Sequence, residues 1–366
     1  MNKIALFNLI ISPYLVERIN KLNELTQKKN SEFNFIALVG NKKIKSRKGW
    51  DYFEKLNSKK KIIKSLLFNR RVIFKDLNYS IDYNIFFPIG LISETLKNKY
   101  SYIEVCSSAE IIAVIPAKLL NKTKIILKVE DTLHSTRNHN FIRKLSKRFL
   151  YSLADKYMAY SIDSIEFLLD FGIKEELITR TRWSIDIPKL KVRNLVIKNF
   201  IYVGSLYPGK GLDILIDSWT SYKIKKNSDC ILNIVGDGPM LSELQSMSKN
   251  TNGIIFHGNI DNLKVLKMYE KSFCFILPTK QDLFSLTVLE SLSRGCPVLT
   301  TNYNGARELI KESNGLIFDL TVESLTNNLL IVNEKSYSRS EVQKSVIAHE
   351  NGTVVNAMFN FYNNLK

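Results

Sequence analysis

An α/β chain built on two doubly wound parallel sheets is what the sequence predicts, and three observations predict it. Short β-rich apolar runs alternate with helix-period stretches almost throughout the 366 residues, the pattern of parallel strands covered by helices on both faces. The length exceeds the roughly 250–300 residues that one hydrophobic core usually serves. Between Ser184 and Asn199 the alternation lapses into Ile187-Pro188-Lys189 and mixed polar residues, which places the seam there.

In the first half the strand candidates are Ile4–Ile10, Phe33–Val39, Val72–Phe74, Tyr102–Cys106, Lys124–Val129 and Tyr157–Tyr160. Each is a short, mostly apolar run, as buried strands require. Helical patterns separate them at Pro13–Lys28, Ser108–Leu120, Phe141–Leu153 and Ser161–Phe171. In the second half the strands are Phe200–Val203, Ile231–Val235, Ile254–Phe256, Phe273–Leu277, Pro297–Thr300 and Leu316–Phe318. The helices between them are Leu212–Tyr222, Met240–Ser248, Asn262–Lys271 and Ser285–Arg294. In such folds a ligand is expected at the carboxyl ends of the strands.

Composition removes several classes. With 45% apolar and 24% charged residues and only 15 Gly and 8 Pro, the chain is neither disordered nor collagen-like. Cys106, Cys230, Cys274 and Cys296 are far apart with no CxxC pair, so no zinc knuckle or disulfide framework is signalled. Reduced thiols in a cytoplasm are the simplest expectation. No apolar run reaches about 18 residues, and the start turns polar too soon for a signal peptide, so a soluble or peripheral protein is expected. Charge is uneven: 53 Lys and Arg face 35 Asp and Glu, and residues 1–186 hold 33 of the basic against 19 of the acidic. Residues 41–75 concentrate it, with 13 Lys and Arg against Asp51 and Glu54, interleaved with Trp50, Phe53 and aliphatics. That mixture suits an anionic membrane surface, or a solvated face around an ordinary core. Nucleic acid is disfavoured as a partner, because no zinc-finger, RNP-like or helix-turn-helix pattern accompanies the charge.

The chemistry is expected in the second half. After Phe200–Val203 comes Gly204-Ser205-Leu206-Tyr207-Pro208-Gly209-Lys210-Gly211 and then a helix. Glycines beside a helix start admit an anion to backbone N–H groups, and Lys210 adds a full charge. An ordinary strand-to-helix turn would read the same. Gly236-Asp237-Gly238-Pro239 is a tight turn with Pro at the first helical position, not a dinucleotide fingerprint, since Leu241 stands at the third glycine. The most informative segment runs from Pro278 through Asp282-Leu283-Phe284-Ser285-Leu286-Thr287-Val288-Leu289 to Glu290. There a helix N-terminus would present free N–H groups and partial positive charge to a phosphate. Glu290 sits among leucines, where a carboxylate needs partners: either a sugar diol or Arg294 one turn on.

Together these segments resemble the retaining glycosyltransferases of the GT-B fold, specifically glycosyltransferase family 4 (glycosyl transferases group 1). The family's "VGRL…KG" loop is similar to Val203-Gly204-Ser205-Leu206…Lys210-Gly211, and its "GxGP" turn to Gly236–Pro239. Its "FxGxV" strand end is similar to Phe256-His257-Gly258-Asn259-Ile260, and its ExFGxxxxE motif to the segment from Asp282 to Glu290, followed by Gly295-Cys296-Pro297-Val298. In the first half, Trp183-Ser184-Ile185-Asp186 resembles "NGVD".

The resemblance implies a GT-B architecture of two Rossmann-like domains facing each other across a cleft. Residues 1–186 would bind acceptor, 187–345 nucleotide-sugar, and a helix in 346–366 would pack back on the first domain. Lys210 would neutralise the donor diphosphate, while Phe284, Ser285, Leu286 and Thr287 would hold phosphate and sugar. Glu290 would bind the ribose, Gly258 and Ile260 the base, and Asp282 the sugar hydroxyls, with Gly204 and Ser205 lining the donor loop. Ser205 replaces the family's Arg, Asp282 its first Glu, and Ser12-Pro13-Tyr14 its glycine-rich first loop. No Asp-x-Asp occurs, so no metal and no cofactor are expected. Cationic and N–H groups would stabilise the leaving diphosphate instead. Glu130, Asp131 and His134, after Lys124–Val129, are candidates to assist the acceptor. Neither His134 nor His139 reads as a metal ligand, for want of a third ligand nearby, and His257 reads as structural rather than base-contacting. The expected enzyme moves a sugar from a nucleotide-diphosphate donor, UDP before GDP, to a saccharide or lipid-linked acceptor. It would work on the cytoplasmic side of the membrane in bacterial-type surface polysaccharide synthesis. The competing expectations are a nucleotide-sugar epimerase or sugar phosphorylase of the same fold, and a basic nucleic-acid-binding or adaptor protein with a degenerate sugar site.

Overall fold

The computed structural model describes residues 2–10, 12–41, 52–74, 79–137, 139–190, 198–226 and 229–365. The chain divides into two units, residues 1–184 with 351–366, and residues 185–350.

The first unit runs β1 (Asn2–Ile10), α1 (Pro13–Lys28), β2 (Phe33–Asn41), β3 (Lys59–Ile62), β4 (Leu66–Phe74) and β5 (Tyr79–Phe87). It continues through α2 (Ile89–Asn98), β6 (Tyr102–Val105), α3 (Ser108–Asn121), β7 (Lys124–Val129), α4 (Phe141–Ser152), β8 (Lys156–Ala159), α5 (Ile162–Asp170) and β9 (Ile178–Arg180). Helix starts are written locally. Ser12, Ser107, Asn140 and Ser161 each accept from a backbone N–H three residues on, satisfying a donor that the helix itself leaves open.

Seven parallel strands lie in the order β3-β2-β1-β6-β7-β8-β9, and β4 pairs with β5 as a separate antiparallel hairpin. The two-residue strand period sorts side chains onto two faces. Ala5, Phe7, Ile103, Val105, Ile125 and Leu127 fill one core. Ile4, Leu6, Phe35, Tyr102, Ile126 and Met158 fill the other, against α1 and a last helix, α12 (Asn351–Asn363).

The second face also buries charge. Glu104 and Lys128 pair at 2.8 Å with side chains 2% and 4% exposed. Lys128 donates to Asn8 Oδ1 at 2.8 Å, Arg18 donates to Tyr160 Oη at 3.0 Å, and Tyr362 of α12 donates to the Glu104 carboxylate. Burial pushes the Glu104 carboxyl up, but Lys128 and then Arg18 outweigh it and hold the group below its ordinary range.

The second unit runs β10 (Asn199–Val203), α6 (Leu212–Lys226), β11 (Ile231–Val235), α7 (Leu241–Met247), β12 (Ile254–Gly258), α8 (Asn262–Lys271) and β13 (Cys274–Leu277). After these come α9 (Leu286–Ser293), β14 (Val298–Thr301), β15 (Gly315–Phe318), α10 (Val322–Glu334) and α11 (Arg339–Lys344). Its six parallel strands lie in the order β12-β11-β10-β13-β14-β15. Chain order therefore reverses between β10 and β13, the crevice where doubly wound sheets bind ligands.

Beyond the strands read from sequence, the structure adds β3, β5 and β9. Lys59–Ile62 is largely exposed at a sheet edge and carries three lysines in four residues, so it lacks the apolar run that marks a buried strand. The stretch 41–75 is described from residue 52 to 74; its residues 42–51 and 75 lie outside the described residues. Cys230, Cys274 and Cys296 are buried free thiols, and burial pushes Cys296 up to about 11. Among the described residues no helix is long and apolar enough to cross a membrane.

Candidate active site

The reversal between β10 and β13 puts two loops side by side, and each contributes one charge. Lys210 ends a 3-10 turn, Pro208–Lys210, whose closing N–H donates to Tyr207 O at 2.9 Å. Gly211 then takes φ +67°, and a Cβ there would lie 2.0 Å from Pro278 O. Only glycine suits that conformation and that approach, so the loop after β10 is pressed against the loop after β13. Lys280 N donating to Gly209 O at 2.9 Å, and Lys280 Nζ at 3.1 Å from Asp213, fasten them further.

There Lys210 Nζ meets Asp282 Oδ2 at 2.6 Å, with side chains 25% and 17% exposed. Ser285 Oγ donates to the same carboxylate oxygen at 3.0 Å and lies 3.4 Å from Thr287 Oγ1. Ser285 occupies the N-cap position of α9 yet makes no capping bond. Its hydroxyl serves Asp282 rather than the helix start, where Val288 N–H donates to Ser285 O at 3.1 Å. Asp282 is itself fixed through its backbone: its N–H donates to Tyr303 O at 3.0 Å, and Gly305 N–H donates to its carbonyl at 2.9 Å.

The remaining donor-site candidates fall around this centre. Gly204 N–H donates to Val235 O at 3.0 Å, and the Tyr202 hydroxyl donates to Ser205 O at 2.9 Å. Burial, and then the Asp282 charge, push the Tyr202 hydroxyl up, which keeps it a donor. Gly258 ends β12, two strands from β10, has φ +62° with open space at its Cβ position, and accepts from Gly236 N–H at 2.8 Å. Ile260 follows it, half-buried. Phe284 is buried and stacks on His349 at 6.3 Å. Leu286 and Thr287 form the first turn of α9, and Glu290 is buried on its second. Arg294 donates to Asp186 O at 3.0 Å and lies 3.7 Å from the Asp186 carboxylate. His257 Nε2 lies 2.8 Å from Asn233 Oδ1 on the neighbouring strand.

The first-unit candidates lie in the loop after β7. Both Asp131 oxygens are engaged: Lys147 is 2.7 Å from one, and the Tyr151 hydroxyl donates to the other at 2.6 Å. His134 Nδ1 is 3.1 Å from Arg137 Nη1, and burial followed by Arg143 pushes His139 down. Among the described residues no group of three His, Cys, Asp or Glu is placed to hold a metal.

The Ser285–Asp282 bond and the buried Glu104–Lys128–Arg18 cluster were not read from the sequence. A signal existed for the second, since Glu104 and Lys128 each interrupt a short apolar strand run. None existed for the first, because a Ser at a helix start reads as a cap.

Residues 192–347 match the family model described as Glycosyl transferases group 1. An uncharacterized glycosyltransferase of Haemophilus influenzae is 27% identical over 183 residues, 45% of this chain and 48% of that protein. An Escherichia coli UDP-Gal:alpha-D-GlcNAc-diphosphoundecaprenol alpha-1,3-galactosyltransferase is 29% identical over 157 residues, 40% of each. The chain thus spans about half or less of these two curated relatives' own lengths. Among solved structures, a lipopolysaccharide outer core galactosyltransferase superposes with TM-score 0.74 at 16% identity, covering 99% of this chain and 100% of that one. Anabaena HepE in complex with UDP and glucose superposes with TM-score 0.73 at 15% identity, covering 100% of both. At those identities the likeness is one of fold, and it extends over both units. The family match lies within the second unit and covers less than half of the chain, so what it shows is a region similar to the glycosyl transferases group 1.

Proposed function

We propose that the chain is a retaining, metal-independent glycosyltransferase. It takes a hexose or related sugar from a nucleotide-diphosphate donor, UDP before GDP, to a saccharide or lipid-linked saccharide acceptor. It works in cell-surface polysaccharide synthesis, as a peripheral protein on the cytoplasmic leaflet. One observation carries the reading: Lys210, Asp282 and Ser285 converge at the strand-order reversal beside the uncapped start of α9.

That arrangement fits a sugar diphosphate by charge and by hydrogen bonding. Lys210 and the α9 N–H groups face the diphosphate, whose charge grows as the anomeric C–O bond breaks. Fixed cationic donors stabilise that charge without the reorganisation water would need. On donor binding Lys210 exchanges the Asp282 carboxylate for phosphate oxygens, and Asp282, with Ser285 still donating to it, accepts from the sugar hydroxyls. Glu290, one helical turn in, accepts from the ribose diol. Gly258, with open space beside its backbone, leaves room for the base. The UDP preference rests on the printed names of the Escherichia coli relative and the Anabaena complex, as does the lipid-linked acceptor on the former.

A thermal-shift series with UDP, GDP, ADP and dTDP tests the reading, since a ligand that binds only the native state at a hundred times its Kd adds about 2.7 kcal/mol of stability. UDP should raise the melting temperature most. No shift with any nucleotide would reject the donor assignment. Turnover of a UDP-sugar with no acceptor present would point instead to an epimerase.

A further inference from the structure

We infer that α4 is the surface by which the first unit docks on an anionic lipid membrane. The inference deepens the peripheral-membrane reading above and rests on it, but it places the contact on a different segment from the basic stretch 41–75.

The helix Phe141-Ile142-Arg143-Lys144-Leu145-Ser146-Lys147-Arg148-Phe149-Leu150-Tyr151-Ser152 contains four cations and no acidic residue. Successive residues turn by about 100°, which gathers Phe141, Ile142, Leu145 and Phe149 into one stripe. These four side chains are 78%, 75%, 55% and 63% exposed. Among the described residues no other helix sets four large apolar side chains at more than half exposure. The opposite face is the one that holds α4 to its unit. Lys147 pairs with Asp131 and lies over the Tyr151 and Phe167 rings, and buried Tyr151 donates to Asp131. Asn140 caps the first turn by accepting from Arg143 N–H at 2.9 Å. The apolar stripe therefore points to solvent from a helix already fixed, and it can be covered without unfolding anything.

Charge chooses the occupant. Lys144 and Arg148 flank one side of the stripe, Arg143 is exposed beyond the other, and no acidic side chain of the helix offsets them. An apolar face edged by cations matches acyl chains beneath anionic headgroups, the arrangement of helices that lie in the interface plane. A protein partner would need both an apolar groove and an acidic rim. Within the stretch 41–75, the described lysines Lys60 and Lys61 are less suited. Although β4 exposes Leu67 and Phe68, Lys60 donates to the carbonyls of Phe53, Glu54 and Leu56, and Lys61 pairs with the buried Glu94. Those charges are partly spent inside the protein.

Sedimentation of the full chain with vesicles of mixed phosphatidylglycerol and phosphatidylcholine tests this. Wild type should bind these vesicles, lose binding as salt is raised, and ignore pure phosphatidylcholine. The variant Arg143→Gln/Lys144→Gln/Arg148→Gln should bind about a hundredfold more weakly, at about fivefold per charge. Phe141→Ser/Ile142→Ser/Phe149→Ser should bind at least about tenfold more weakly, since each change withdraws a large apolar side chain from the lipid. Both variants should keep the wild-type melting temperature and nucleotide shift. Loss of binding in Lys59→Gln/Lys60→Gln/Lys61→Gln/Lys64→Gln, with both α4 variants unaffected, would overturn the inference while leaving a membrane-peripheral enzyme. Absence of wild-type binding would overturn both. A wild-type dimer in light scattering that the apolar variant abolishes, without vesicle binding, would assign the stripe to a second copy and also overturn it.

Discussion

Lys210 and Asp282 are 72 positions apart, yet they share a 2.6 Å contact that Ser285 completes. A cation facing a leaving diphosphate acts mainly in the transition state, so its loss should lower turnover more than donor affinity. Lys210→Ala is expected to cut transfer several hundredfold, about 3–4 kcal/mol, and the remaining and wild-type activities should be indifferent to EDTA. Steady-state kinetics checks both, and near-normal turnover in the variant would remove Lys210 from the chemistry. A second residue-scale prediction concerns stability. Glu104 pairs with Lys128 at 2.8 Å in the buried cluster, and Arg18 adds a second positive charge nearby. Glu104→Gln strands those cations, which should cost about 3–5 kcal/mol in denaturant unfolding. The sign with pH follows from the carboxyl being held below its ordinary range. Its stabilisation is present above the unfolded value, about 4.3, and is lost as pH falls through the lower folded value. The gap between wild type and Glu104→Gln should therefore be full at neutral pH and shrink below about pH 4; a gap constant to acid pH would deny the ion pair its role.

Elements differ in how they spend their apolar faces. In α12 the residues Val354, Val355, Met358, Phe359 and Tyr362 enter the same core as β1, β2 and α1, although this helix closes the chain. In α4 an equally apolar set stays outside. The contrast predicts opposite outcomes for one substitution. Phe359→Ala, at a site 4% exposed, should cost about 3–5 kcal/mol through lost burial and the cavity left behind. Phe141→Ala, at 78% exposure, should change stability by less than about 0.5 kcal/mol. Chemical denaturation of the two variants decides; equal effects would mean that α12 is not part of the first unit's core. Helix periodicity alone marks both as amphipathic, and it does not say which face finds a partner.

For the whole molecule the two sheets differ in what their carboxyl ends carry. The first unit closes its charges on itself through Glu104, Lys128 and Arg18. The second gathers Lys210 and Asp282 at the reversal of strand order, with α9 uncapped beside them. Hydrogen exchange in the presence of UDP should therefore slow in the loops after β10, β12 and β13, covering residues 204–211, 258–260 and 282–290. The loop after β7, with Asp131 and His134, should be unchanged by UDP alone. Protection confined to that loop would move the nucleotide to the other unit.

Strands such as Lys124–Val129 and Ile231–Val235, and helices such as Pro13–Lys28 and Asn262–Lys271, are legible from sequence to the residue, because burial on both faces leaves a continuous apolar run and a cap or proline marks the start. The edge strand Lys59–Ile62 is not, since an edge strand with lysines lacks that run. The motif residues around Lys210 and from Asp282 to Glu290 were also legible, as local loops between a strand and a helix. Which of them touch was not. A loop's sequence states its own turn, whereas the meeting of two loops depends on strand order, and strand order is set by packing between segments far apart in the chain. The same holds for Ser285, whose hydroxyl turns from its own helix to Asp282, and for α4. Sequence determined the elements, the charge and the family pattern; tertiary structure alone decided which charges are neutralised and which apolar face is left for a partner, because both depend on what distant segments bring alongside.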